Sequence, residues 1–288
     1  MMKAALETIH ETRHETFAFR EFDQARFTSP WHYHPEFEIT LIESSVGELF
    51  VGDRIRPFDS GEVYVFGCSL PHYFHNSEGR SKRNRARAVV VQFLPDVFGR
   101  DFWGLSEMGA VRRFMTRARA GFQVKGVALA STVARMRRMR RQSGAERLFE
   151  LFHLLDELSR AEDGLVGLSS EGFMPTLDPE ASQRMTRIYQ YIFRELASDI
   201  SLGEAARAAG MTESAFCRYF RRMTGKRFTD FINELRVSRS CRDLIETSST
   251  VAEIAFACGY GSISNYNRCF RQITGVSPRE FRARHRAG

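Results

Sequence analysis

The chain has 288 residues, 43% hydrophobic and 27% charged, an ordinary globular composition with room for two moderate domains. No apolar run approaches the roughly 18 residues that span a bilayer. The five cysteines, Cys68, Cys217, Cys241, Cys258 and Cys269, form no CxxC pair, so free thiols in a reducing compartment are expected rather than disulfides or a cysteine-built zinc site. The net charge of +7 is located: residues 180–288 hold 18 Lys+Arg against 11 Asp+Glu, whereas residues 1–179 balance. A polyanionic partner is therefore expected at the C-terminal third.

The start, "MMKAALETIHETRHETFAFR", carries acids throughout and no apolar core, so a cytoplasmic chain without a leader peptide or membrane partner is expected. Residues 17–95 hold short alternating runs, "FEITLIE", "GELFVGD", "GEVYVFG" and "RAVVVQF", separated by glycines and polar clusters; they predict an all-β meander or barrel. In "WHYHPEFE", residues 31–38, His32, His34 and Glu38 share one strand face. Two imidazoles and a carboxylate converging on a point suit a divalent transition metal. The odd positions Trp31, Tyr33, Phe37, Ile39 and Leu41 are apolar; the even face meets solvent in a sandwich or a polar lumen in a small barrel.

"HYHPEFE" followed by "GEVYVFGCSLPHYFHN" resembles the two cupin motifs. His32, His34 and Glu38 match the H-x-H-x3-E element; Gly61, His72 and Asn76 match the second motif. Gly67 and Ser69 replace that motif's Pro and Gly, and Arg26 and Ser45 stand where glycines are expected, so drifted turns are expected. The resemblance implies a barrel whose ligand set is His32, His34, Glu38 and His72. Three readings of these residues stay open: a divalent metal site, hydrogen-bonding groups around a small organic effector such as a sugar, or internally satisfied structural residues. Trp31, Tyr33, Tyr64, Phe66 and Tyr73 are aromatics that could stack on a ligand, Tyr64 being taken into the candidate ligand set, or else are core. The basic "RSKRNRAR", residues 80–87, reads as a solvated loop.

Residues 101–165 read as helices. In "GAERLFELFHLLDELSR" the stripe Leu148, Leu151, Phe152, Leu155 and Leu158 predicts a core face or a subunit seam. Residues 166–180 are rich in Gly, Ser and Pro and are the expected linker.

The last domain, residues 181–288, says nearly the same thing twice. "SLGEAARAAGMTESAFCRYFRRMTGKRF" from Ser201 and "TVAEIAFACGYGSISNYNRCFRQITGVSP" from Thr250 match at an offset of 49 up to the glycines Gly210 and Gly259, and of 50 beyond them. Each copy predicts a capped short helix, a turn at its glycine, and a second helix. Ser201-x-x-Glu204 and Thr250-x-x-Glu253 predict two capping boxes. The apolar stripes are Phe216, Tyr219, Phe220 and Met223, then Tyr266, Cys269, Phe270 and Ile273. The opposite faces carry Ser214, Cys217, Arg218 and Arg221, then Ser264, Asn267, Arg268 and Arg271, residue types that suit base edges and phosphates in a major groove.

"TVAEIAFACGYGSISNYNRCFRQITGVSPREFR" resembles the signature of the AraC/XylS family of bacterial transcription regulators, and the resemblance covers residues 180–286. It implies two helix-turn-helix units joined by a linker helix, here residues 228–247, reading successive major grooves of double-stranded DNA. The implied base readers are Ser214, Cys217, Arg218, Ser264, Asn267 and Arg268, with Arg221, Arg222 and Arg271 on phosphates. It also implies a homodimer, a cupin-like small-molecule sensor in residues 1–100, and RNA polymerase as partner of an activator. The expected fold is thus α+β multidomain: a cupin-like β-barrel, a helical middle segment that could dimerise, and an all-α double helix-turn-helix domain. The expected function is a ligand-responsive, DNA-binding regulator and no enzyme, with no certain cofactor beyond a possible divalent metal. A cupin metalloenzyme, dioxygenase or isomerase, explains the histidines but neither the repeat nor the charge; a metal-sensing regulator is the third reading.

Overall fold

The computed structural model describes residues 16–76, 85–170, 173 and 179–286. The chain divides into two units, Met1–Pro179 and Glu180–Gly288. Among the described residues no helix is long and apolar enough to cross a membrane, and all five cysteines are free.

The first unit runs β1 (Ala18–Gln24), β2 (Phe37–Ser44), β3 (Gly47–Val51), β4 (Arg54–Phe58), β5 (Val63–Phe66), β6 (His72–Asn76), β7 (Ala86–Phe93), α1 (Arg100–Gly104), α2 (Gly109–Arg117), β8 (Phe122–Val124), α3 (Gly126–Met139), α4 (Gly144–Arg160) and β9 (Leu165–Gly167). It forms a six-stranded sheet, β1-β7-β2-β5-β8-β9, and a three-stranded sheet, β4-β3-β6. The expected closed barrel is not found. Each sheet ladders only within itself among the described strands; an isolated bridge pairs His32, which lies ahead of β2 and in neither sheet, with His72 of β6.

Period-two alternation decides what each face of the large sheet meets. Phe37, Ile39 and Leu41 of β2, with Val63, Val65, Val89, Val91 and Phe93, pack on Phe114, Met136, Leu151, Leu155 and Leu158 of the helices. The even positions face the small sheet, where Ile42, Tyr64, Phe66, Ala88 and Val90 meet Leu49, Val51 and Phe58. The even face is therefore neither solvent nor a barrel lumen but the interior between two sheets. Leu151, Leu155 and Leu158 of the α4 stripe are fully buried in this core, with Leu148 partly buried against it. Arg135 fastens α3 to α4 through Glu150 (2.8 Å) and Glu157 (2.5 Å).

Two expected boundaries move. The segment 101–165 contains β8, and the expected linker begins with β9 pairing onto β8. Leu168 is fully buried, and Ser170 N donates to Asp53 Oδ1 (3.0 Å), so residues 166–170 belong to the first unit. Of the linker, residues 171, 172 and 174–178, and of the basic loop residues 80–84, lie outside the described residues.

The second unit is all helical: α5 (Pro179–Glu195), α6 (Leu202–Ala208), α7 (Glu213–Thr224), α8 (Phe228–Glu246), α9 (Val251–Ala257), α10 (Ile263–Thr274) and α11 (Pro278–Arg286). The helix α8 serves both repeat copies. Its first half sets Phe228 against Phe216 and Phe231 against Phe220, each pair at 5.1 Å. Its second half gives Val237 and Leu244 to a core with Ile254, Tyr266 and Phe270. Gly259, at φ +86, can only be glycine: a Cβ there would lie 2.5 Å from the Leu196 carbonyl.

Candidate functional site

In the second unit, the helices α7 and α10 are built alike. Thr212 and Ser262 cap them by accepting from the amides of Ala215 and Asn265, and Gly225 and Gly275 end them in the left-handed conformation. The capping box ahead of α9 is complete, with Thr250 and Glu253 reciprocally bonded. The one ahead of α6 is half made: Glu204 N donates to Ser201 Oγ (3.4 Å), but the Ser201 amide turns to the Tyr191 hydroxyl (3.1 Å) and Glu204 pairs with Arg207 instead. The stripe residues Phe216, Tyr219, Phe220, Tyr266, Cys269 and Phe270 are buried, whereas Ile273 is 42% exposed. Ser214, Cys217, Arg218, Arg221 and Arg222 on α7 and Ser264, Asn267, Arg268 and Arg271 on α10 are all exposed. Each helix thus presents arginine, serine and a third side chain, Cys217 or Asn267, on a face that no described core covers.

The second candidate lies in the first unit, in a cleft on the inner face of the large sheet that encloses about 580 Å³ of empty space, part of it open to solvent. His32, His34, Glu38 and His72 come together there, each at most 5% exposed. His32 Nδ1 donates to the Pro30 carbonyl (2.7 Å) and His72 Nδ1 to the Leu70 carbonyl (2.9 Å). A carbonyl only accepts, so Nδ1 carries the hydrogen and Nε2 is left as the ligating nitrogen of the neutral ring. Burial, with His32 nearby, pushes His72 down to about 3, and its ring stacks on Phe66 at 4.1 Å. Burial alone would raise Glu38, but the His72 and His34 charges and hydrogen bonds from His34 and Thr40 hold it well below the usual carboxylate range.

The donor set fits a divalent transition metal. Ligand nitrogens of His32, His34 and His72 lie within 4.8 Å of one another; His32 and His72 would offer Nε2 to the ion, and His34 would join them only by giving up the hydrogen bond from its Nε2 to Glu38. Glu38 stands beside them with its oxygens committed: Oε2 accepts from His34 Nε2 (2.9 Å) and Gln92 Nε2 (2.7 Å), and Oε1 from Thr40 (2.5 Å). Tyr64 does not line the cleft. It is 1% exposed in the inter-sheet core and donates to Glu62 (2.5 Å). Trp31, Tyr33 and Phe66 are buried too, and the aromatics on the cleft are Phe22, Phe27 and Phe74. Phe22 and Phe27 lie outside the motif stretch, whereas Phe74 lies within it, two residues after His72 on the same strand face. Gln92 was readable as the single polar residue inside the run "AVVVQF", facing Glu38 across the β2–β7 ladder.

Two substituted turn positions around the cleft take the backbone conformation that favours glycine. Ser45 and Ser69, standing where the motif expects glycine, are the non-glycine residues with positive φ among those described, at 122° and 62°. Ser69 N donates to the His34 carbonyl (2.8 Å). Asn76 clamps the cleft's rim, accepting from Phe27 N (2.6 Å) and donating to Ser45 Oγ.

Residues 205–284 match the family model of the helix-turn-helix domain. An uncharacterised HTH-type transcriptional regulator of Staphylococcus aureus (strain MSSA476) is 28% identical over 99 residues; the match takes in 34% of this chain and only 13% of that protein's length. The HTH-type transcriptional activator RhaS of Pectobacterium carotovorum subsp. carotovorum (strain PC1) is 23% identical over 264 residues, 88% of this chain and 87% of RhaS. Among solved structures, the DNA-binding domain of AdpA in complex with a target DNA is 28% identical, covering 36% of this chain and 94% of that one with a TM-score of 0.35. The doubled, capped helix pair with arginines on its open faces is thus a helix-turn-helix domain, and over it the chain is similar to HTH-type transcriptional regulators.

Proposed function

We propose that the protein is a ligand-responsive, sequence-specific transcription regulator that reads double-stranded DNA with α7 and α10 and senses a small polar metabolite in the histidine-lined cleft. The observation that carries the DNA half is the repetition: equivalent positions of two capped helices expose Ser214 and Ser264, Arg218 and Arg268, Arg221 and Arg271. Arginine grips guanine O6 and N7 with two donors, Asn267 suits adenine, Cys217 suits a thymine methyl, and Arg221, Arg222 and Arg271 fall to phosphates. The effector is hydrogen-bond-donating, a sugar or another hydroxyl- or amine-bearing compound. The cleft offers acceptors, Glu38, Nε2 of His32 and His72, and Gln92 Oε1, and among the described residues no Lys or Arg lines it. Gln92 is 5% exposed and its Oε1 has no hydrogen-bond partner among the described residues, a buried acceptor that a donor group would satisfy.

An effector acts on transcription through its different affinity for two states of the chain. The reading takes a cytoplasmic homodimer, with RNA polymerase as partner where the outcome is activation; Phe149 of α4, 60% exposed, and Leu105, 50% exposed, leave apolar surface for a second copy. A second reading, in which the sensed species is a divalent metal itself, is favoured by the three imidazoles that can ligate one ion.

The test is selection of full-length protein on random double-stranded DNA. Two conserved base blocks about one helical turn apart are expected, with affinity falling steeply as salt rises. Arg218→Ala and Arg268→Ala should each cost about 1–3 kcal/mol, at different blocks. Folded protein that enriches no sequence would refute the reading.

A further inference from the structure

We propose that Asn265 is a positioning residue for base reading: its side-chain oxygen holds the Arg268 guanidinium in place on the open face of α10, a device that α7 lacks. The inference rests on the DNA-reading role given to α7 and α10. Asn265 Oδ1 accepts from Arg268 Nη2 at 2.8 Å, one helical turn back along the same face. Arginine only donates, so the amide must turn its oxygen this way. The residue is itself anchored at both ends: its backbone N donates to the capping Ser262 Oγ (3.3 Å), and its side-chain Oδ1 accepts from the thiol of Cys269 (3.6 Å), which is 3% exposed. Only Nη2 of Arg268 is engaged, so Nη1 and Nε are left for acceptors outside the chain.

The repeat supplies an internal control. The residue equivalent to Asn265 in the first copy is Ala215, which offers no side-chain acceptor. Arg218 accordingly makes no side-chain hydrogen bond or ion pair with any described residue. An arginine ordered only on meeting its base gives up its rotamer freedom at that moment, at a cost of roughly two- to tenfold in affinity. Arg268 has given up that freedom before it meets DNA. Together with Asn267, an amide reader where the first copy has Cys217, this makes the block read by α10 the more selective of the two.

The experiment is a reciprocal swap in the full-length protein, with the base preference of each block read by selection on random double-stranded DNA. Asn265→Ala should weaken the preferred sequence by roughly two- to tenfold, flatten the preference in the α10 block, and leave the α7 block and the salt dependence unchanged. Ala215→Asn should sharpen the α7 block. Stability does not confound the first variant, because alanine is the better helix former and already occupies the equivalent position in the first copy. Equal weakening on all sequences, or unchanged preferences in both blocks with binding retained, would overturn the positioning role while leaving DNA reading intact. Loss of all sequence preference in the wild type would instead sink the parent reading, and this inference with it.

Discussion

Replacing Glu38 should unfasten the first unit, and by an amount that its neighbours set. The carboxylate takes hydrogen bonds from His34, Gln92 and Thr40 at 2.9, 2.7 and 2.5 Å. In Glu38→Ala all three donors lose their acceptor, at about 1–3 kcal/mol for each group left buried. Water entering from the open cleft can reach Thr40 and Gln92, which line it, but not His34 as easily. Relief of the buried charge offsets part of the rest. The expected loss is about 3–5 kcal/mol, a large share of the 5–15 kcal/mol that holds a typical domain together. Glu38→Gln keeps the size and one acceptor oxygen, and the Thr40 hydroxyl can reverse to accept from the new amide, so about 1–2 kcal/mol is expected. Urea unfolding followed by tryptophan fluorescence measures this directly, because the two tryptophans, Trp31 and Trp103, both lie in the first unit. An alanine variant within 0.5 kcal/mol of wild type, roughly the scatter of surface substitutions, would show that Glu38 is not the hub of the cleft, as would a glutamine variant less stable than the alanine one.

Two further expectations concern stability. Ser69→Gly should raise the urea midpoint of the first unit by the equivalent of about 0.5–1 kcal/mol, since φ is +62° there and glycine adopts it without a Cβ clash; a lowered midpoint would show that the serine side chain is engaged. His75 is pushed down to about 4 by burial, with the Arg26 charge adding to it. An unfolded imidazole titrates near 6.5, so between about 6.5 and 4 the unfolded chain holds the extra proton, and stability falls with pH by about 1.4 kcal/mol per unit. His75→Gln keeps an acceptor for the Tyr73 hydroxyl, removes that titration, and should lose less stability than wild type between pH 7.5 and 5. Equal losses would mean that the folded state protonates His75 as readily as the unfolded chain does.

The second unit was legible almost residue by residue, because its signals are local. Caps, glycines and a 3.6-residue stripe set α6 to α10, and the linker helix expected over residues 228–247 is α8 at Phe228–Glu246. The half-made box at Ser201 escaped because its competitor, the Tyr191 hydroxyl, comes from another helix. In the first unit, the alternation identified which residues of β2 share a face but not what that face meets, since closure into a barrel depends on partners far along the chain. β8 and β9, at three residues each, are too short to leave a periodic signal between helices. His32, His34 and Glu38 were readable from spacing and His72 only through the motif resemblance; Phe22 and Phe27 were not readable, because they reach the cleft from β1 and a loop. Ser45 and Ser69 suggested altered turns, yet their backbones keep the left-handed geometry, held by neighbours such as the bond from Ser69 N to His34.

The helix α8 also limits what the recognised DNA can look like. It is 19 residues without Gly or Pro, about 28 Å of uninterrupted helix, and it closes the hydrophobic cores of both repeat copies. The helices α7 and α10, proposed here to read DNA, therefore share one rigid ruler. A base pair inserted between their target blocks would carry the far block round by about 35° and along by about 3.4 Å. The protein could follow only by opening one of the cores. Sequence drift in the genome's target sites should thus run through base identity within each block, while the distance between blocks stays fixed, a two-word grammar with an invariant space.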